Sequence, residues 1–189
     1  MNKKKHKPIF NIILISTLLL VSPFIYGQKR EFKIYTNSKG HFSFVIPKSW
    51  SIKYSYEQEG LICIPTNSKE KEKYADCFEG IIFRIYLFKT NLDSTLLSNF
   101  YFKIGNDFYT NDRFRDSIKT KNISGRNWRG IYHNNICGVG CKESGFHAAG
   151  GQCEFIYFSK NNLTVCITTN GTEFDKSILT RLLKSFSFL

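Results

Sequence analysis

Seventeen residues, CGVGCKESGFHAAGGQC, bring Cys137, Cys141, His147 and Cys153 close together in the chain. Three thiolates and one imidazole form a valid zinc shell. The three, five and five residues between these ligands do not match a common zinc knuckle. The chain has six cysteines in all, Cys63, Cys77, Cys137, Cys141, Cys153 and Cys166. An even number in an oxidising compartment reads first as three disulfides, although six cysteines can connect in fifteen ways. QCEFIYFSKNNLTVCITTNG is predicted to be two strands around a tight turn near Ser159 to Asn162, because β-branched and aromatic residues flank a polar tip. A turn of even length places Cys153 and Cys166 on one face of that hairpin, to pair directly or one step diagonally. The expected set is Cys63 with Cys77, Cys137 with Cys141, and Cys153 with Cys166. Each link would add on the order of 2 to 4 kcal/mol, mainly through the unfolded state. Zinc at Cys137, Cys141, His147 and Cys153 is the alternative, and no metal or cofactor is expected.

A thiol can also be a nucleophile if something lowers its pKa. YADCFEG at 74–80 resembles the Asp-Cys-Ser-Gly motif of NlpC/P60 cell-wall peptidases, which implies a thiolate at Cys77 activated by a helix N-terminus and a distant histidine. His133 and His147 are the candidate bases. Here Phe78 takes the place of the serine, the glycine comes one position late, and the next segment, IIFRIYLF, alternates like a strand. The chain shows no glycine-rich phosphate loop, serine elbow or His-rich metal helix. The expectation is therefore no catalytic residue, with a cysteine-dependent cell-wall hydrolase as the alternative.

The elements that must position these residues are mostly strands. FKIYT and His41 to Ile46 read as a hairpin around Ser-Lys-Gly, with Phe42, Phe44 and Ile46 on one face. SIKYSY and LICI follow around Glu59-Gly60. Ile81 to Phe88 is apolar on both faces, as in a central strand covered on both sides. Leu96, Leu97, Phe100 and Ile104 fall at helical spacing behind Asp93 or Ser94 as cap. DSIKTKNISGRNWRGIYH suggests two strands around Ser124-Gly125. The final helix is predicted to start from a Thr172 cap, with Glu173 and Asp175 in its first turn, Arg181 and Lys184 in its last, and Phe174, Ile178, Leu179 and Leu182 as its apolar stripe. Aromatics are 16% of the chain and fall mainly on alternating strand positions, which assigns them to the core.

The first thirty residues carry Lys3, Lys4, Lys5 and Lys7, an apolar run from Ile9 to Val21, Ser22-Pro23 and a small Gly27. That order is a secretory signal. The run contains Asn11, Ser16 and Thr17 and is shorter than the roughly 20 apolar residues a spanning helix needs. Residues 1–27 are therefore expected to be a signal peptide and 28–189 one domain of 162 residues, periplasmic or secreted, with no stable membrane span. The net charge is +12, and removing four lysines leaves 23 basic against 15 acidic residues, or +8. This balance favours an acidic protein partner. The basic residues are scattered, KEKEK at 69–73 alternates in sign, and no arginine–aromatic run points to nucleic acid.

FSFVIPKSW, with Pro47 and Trp50, and the closing ILTRLLKSFSFL resemble the two ends of the PsbP/Mog1-like superfamily, and the layout of residues 32 to 189 is similar. The resemblance implies an α+β fold, an α/β/α sandwich around a central antiparallel sheet, here disulfide-stabilised. It also implies a non-enzymatic binding or assembly role. The expected function is an exported protein-binding module: an adaptor, an assembly factor or an immunity-type inhibitor. The basic surface and the 137–153 loop are the expected contact regions, and a zinc-binding module is a further alternative.

Overall fold

The structure is a computed structural model that describes residues 31–189 except 57–59, 76–79, 113–114, 137–138, 142–144, 148–151, 170 and 172–173, with backbone alone for 73–75, 139–141 and 145–147. The expected signal peptide, Cys77 and Thr172 lie outside the described residues. No described helix is long and apolar enough to cross a membrane.

Alternating aromatic and β-branched positions build strands along almost the whole domain. β1 (Phe32–Asn37) and β2 (Phe42–Pro47) form a hairpin, joined on the other edge of β2 by the last strand, β15 (Ser187–Phe188). β3 (Trp50–Ser55), β4 (Gly60–Pro65), β5 (Phe83–Phe88), β9 (Lys121–Gly125), β10 (Trp128–Ile136), β13 (Gln152–Lys160) and β14 (Leu163–Thr169) form an antiparallel sheet in the order β3-β4-β5-β14-β13-β10-β9. A third sheet contains β6 (Phe102–Ile104), β7 (Asp107–Asn111) and β8 (Ser117–Lys119). β11 (Val139–Cys141) pairs with β12 (Gly145–His147). Helices α1 (Ser68–Ala75), α2 (Leu92–Ser98) and α3 (Lys176–Ser185) have eight, seven and ten residues.

Each face of the seven-stranded sheet has its own core. One face carries Phe83, Ile85, Ile156, Phe158, Val165 and Ile167. It is covered by the small β1-β2-β15 sheet through Phe42, Phe44 and Ile46, and by α3 through Ile178 and Leu182. The Trp50 indole N–H donates to Glu70 Oε2 at 3.1 Å, which ties α1 to the start of β3. The opposite face carries Ile131, Tyr157 and Cys166 under Leu92 and Leu96 of α2, together with Tyr101 and Phe108. The expected α/β/α sandwich is therefore not found, because both covering layers are largely β. Two of its expected disulfide cysteines, Cys63 and Cys166, are free and buried.

The physical reasons lie in where the helices stop and start. Helical spacing from Leu96 to Ile104 predicts one long helix, but α2 is capped by Asn91, whose side chain accepts from Ser94 N at 2.9 Å, and it ends at Ser98. Asn99 Nδ2 donates to Thr95 O at 2.7 Å, and both Asn99 N and Tyr101 N donate back to Leu96 O. Between them Phe100 has φ 65, so the chain closes as a Schellman-type stop with a phenylalanine where glycine is usual. The reversal buries Tyr101 and leaves Phe100 92% exposed. Likewise α3 starts at Lys176, because Asp175 is its cap, accepting from Ser177 N at 2.8 Å.

Because Phe100 holds a left-handed conformation with its ring in solvent, Phe100→Gly is expected to raise the unfolding free energy by about 1 kcal/mol. Urea unfolding followed by circular dichroism checks this, and an unchanged or lower midpoint would refute it.

Candidate functional site

The side chains that could do chemistry meet on the second face of the large sheet. Tyr157 on β13 lies opposite Cys166 on β14 and Ile131 on β10, and His133 lies opposite Phe155. The His133 ring stacks on Phe155 at 4.8 Å, and its Nε2 is 2.7 Å from the Tyr101 hydroxyl. The Tyr101 ring stands edge-on to Tyr157 at 5.5 Å, and Cys166 faces Tyr157 from the next strand. A buried polar row thus runs Cys166, Tyr157, Tyr101, His133.

Burial sets the protonation of every member. It pushes the Cys166 thiol up to about 12 and raises both tyrosines, Tyr157 also through the neighbouring Cys166 and Tyr101. It lowers His133 to about 4, weakly opposed by the Asn134 backbone. At neutral pH all four are uncharged. A phenol donates more strongly than a neutral imidazole, so we assign Tyr101 as donor to Nε2, with the ring proton on Nδ1. His133 Nδ1 has no hydrogen bond among the described residues. At neutral pH the row therefore holds neither a thiolate nor a charged imidazole.

The expected cysteine pairings fare unevenly. Cys153 and Cys166 do share a face, but the turn is Asn161-Asn162, with Asn161 at φ 54, and the register sets Cys166 against Tyr157, four residues from Cys153. A strand rises about 3.3 Å per residue, which puts this pair beyond disulfide reach. Cys63 is fully buried against β5, its pKa raised well above the ordinary thiol by burial, so the Cys63–Cys77 link fails too. Two of the three expected links, Cys63–Cys77 and Cys153–Cys166, are therefore not formed, although Cys153 itself is disulfide-bonded. Cys77 itself and Cys137 lie outside the described residues, as do the side chains of Cys141 and His147, although β11 and β12 place their backbones on facing strands. Cys153 begins β13, where its Sγ accepts from Gly171 N at 3.1 Å. Among the described residues no three His, Cys, Asp or Glu side chains gather as a metal site. Sequence reading missed Tyr101 and Tyr157, because the row joins residues brought together only by strand register.

Two grooves flank the edge strand β9. One, of about 340 Å³, is lined on the second face by Asp93, Lys103, Phe108, Asn122 and Arg129 among others. Asp93 holds both cations there, Oδ1 at 3.2 Å from Arg129 Nη2 and Oδ2 at 3.1 Å from Lys103 Nζ. The other groove, of about 460 Å³, lies between the β9–β10 hairpin and the end of α3, with Arg126, Trp128, Leu183, Lys184 and Phe186 on its walls.

No family model matches the chain, and no curated protein matches it.

Two outcomes follow from the buried row. His133 is neutral when folded and has a depressed pKa, so its contribution is present above about pH 6.5 and lost as pH falls towards 4. Between pH 7 and 4.5 the native chain is expected to lose on the order of 2 kcal/mol more than a His133→Phe variant. Equal losses in denaturant titrations at the two pH values would refute this. Cys63 and Cys166 are expected to resist iodoacetamide in the native state and to react after denaturation, as peptide mass mapping would read.

Proposed function

We propose that this chain is an exported, non-enzymatic module that binds another protein through a basic outer surface, as an adaptor, assembly factor or immunity-type inhibitor. The observation that carries this reading is Phe100, an aromatic 92% exposed and held at a strained backbone angle, within a segment that also exposes Leu97 and Ile104 at 57% each. The chain reversal needs the backbone angle but not an exposed phenylalanine ring to hold it, whereas interfaces are built around such anchors. The basic excess supplies a second element, since positive charge speeds and selects encounters with an acidic partner. Of the two candidate bases for a thiol hydrolase, His133 is buried and neutral, with its Nε2 occupied by the Tyr101 hydroxyl, which disfavours that alternative. The lysine-led, apolar N-terminal sequence supports a periplasmic or secreted location.

Affinity capture from the exported fraction of the native host, followed by reconstitution with the purified partner, tests the reading. A stoichiometric complex with an acidic protein is expected, weakened about tenfold by Phe100→Ala and further by salt. Absence of any stoichiometric partner, together with cleavage of cell-wall fragments that is lost in Cys77→Ser, would replace the reading with an enzyme.

A further inference from the structure

An edge strand exposes a row of backbone donors and acceptors, and folded proteins usually pair, cover or blunt it. Among the described residues β9 pairs only with β10. Its residues Lys121, Asn122, Ser124 and Gly125 are exposed. The β9–β10 hairpin closes through the two-residue turn Arg126-Asn127, with Gly125 facing Trp128. The residues flanking a two-residue turn are a hydrogen-bonded pair, and such pairs alternate along an antiparallel ladder. Gly125, Ile123 and Lys121 therefore point their backbone groups at β10, and Asn122 and Ser124 point theirs outward.

The surroundings of this edge are matched on both sides. Ile123 and Ser124 line both grooves, one on each face of the sheet. A strand added beside β9 would send successive side chains to opposite faces, one set into each groove. The grooves differ in chemistry. The first presents Lys103 and Arg129, organised by the single carboxylate of Asp93. The second is walled by Leu183, Trp128 and Phe186, with Arg126 and Lys184 at its rim. Across the two, four cations stand against one anion.

From this we infer that β9 is a strand-addition site for an extended peptide segment alternating acidic and apolar residues, the acids meeting Lys103 and Arg129 and the apolar side chains filling the groove beside α3. The inference rests on the protein-binding reading above and names the kind of segment that the partner would present. Main-chain hydrogen bonds to Asn122 and Ser124 supply the docking, and the grooves supply selectivity.

The probe is an acetylated, amidated octapeptide of alternating glutamate and valine, titrated into the full mature chain by fluorescence anisotropy. Its lysine–valine counterpart and two forms N-methylated on either the glutamate or the valine amides serve as comparisons. Binding is expected for the acidic peptide, at least tenfold weaker for the basic one, and lost in one of the two methylated forms, whose blocked edge faces β9. Ser124→Pro removes an outward N–H at an edge position that tolerates proline, and it is expected to abolish binding with an unchanged unfolding midpoint. Arg129→Glu is expected to weaken binding at least tenfold, which keeps the test open if the proline variant fails to fold. No binding of the acidic peptide, or equal binding of both methylated forms, overturns the inference. Binding that survives both substitutions overturns the β9 placement and leaves the protein-binding reading standing.

Discussion

Phe186 is the side chain on which the layers depend. Its ring stacks on Phe158 of the large sheet at 3.7 Å and 6°, and faces Phe42 and Phe44 of the small sheet at 5.8 and 6.1 Å. The Trp128 indole approaches it edge-on and donates its N–H to the Phe186 carbonyl at 2.8 Å. Aromatic pairs in offset or edge geometry add about 0.5–1.5 kcal/mol beyond their burial. Phe186 is also the residue that ends α3, so the same contact fixes where the helix stops and β15 begins. From there Asn127 Nδ2 reaches the Phe188 carbonyl at 2.8 Å, which anchors the hairpin turn to the C-terminal strand. The groove beside α3 is the space left over when that aromatic stack is satisfied.

A second constraint operates on the other face. Cys166, Tyr157, Tyr101 and His133 are buried polar groups, kept uncharged by that burial, and Tyr101 and His133 satisfy each other through their 2.7 Å hydrogen bond. The Schellman stop at Phe100 is what delivers Tyr101 to His133. The strained, exposed phenylalanine and the buried hydrogen bond are thus two sides of one chain reversal.

The strand alternation was readable in the sequence wherever one face was strictly apolar. Phe42, Phe44 and Ile46 are all buried together as their spacing implies. Where the pattern served two structures it misled. Leu96 to Ile104 has helical spacing, yet side-chain and backbone bonds back to Thr95 and Leu96 end the helix within it and turn the rest into β6. The hairpin turns were placed by their polar tips, but a shift of two residues moved the β9–β10 turn from Ser124-Gly125 to Arg126-Asn127. The analogous detail at Asn161-Asn162 separated Cys153 from Cys166. Side-chain parity survives such shifts, whereas direct partners do not. The grooves beside β9 were not legible at all, because they arise where α2, the third sheet and α3 approach one strand from opposite sides.

The account sets a closed interior against an open edge at β9, and amide hydrogen exchange of the ligand-free mature chain, read residue by residue, tests that contrast most directly. Amides whose bonds open only with global unfolding exchange slowest, and exposed edge amides exchange at close to the rate of free peptide. The account expects Asn122 and Ser124 to exchange orders of magnitude faster than Tyr157 and Ile167 at the centre of the sheet. Protection at Asn122 and Ser124 comparable to that of the central strands would mean that the edge is already covered, and would contradict it.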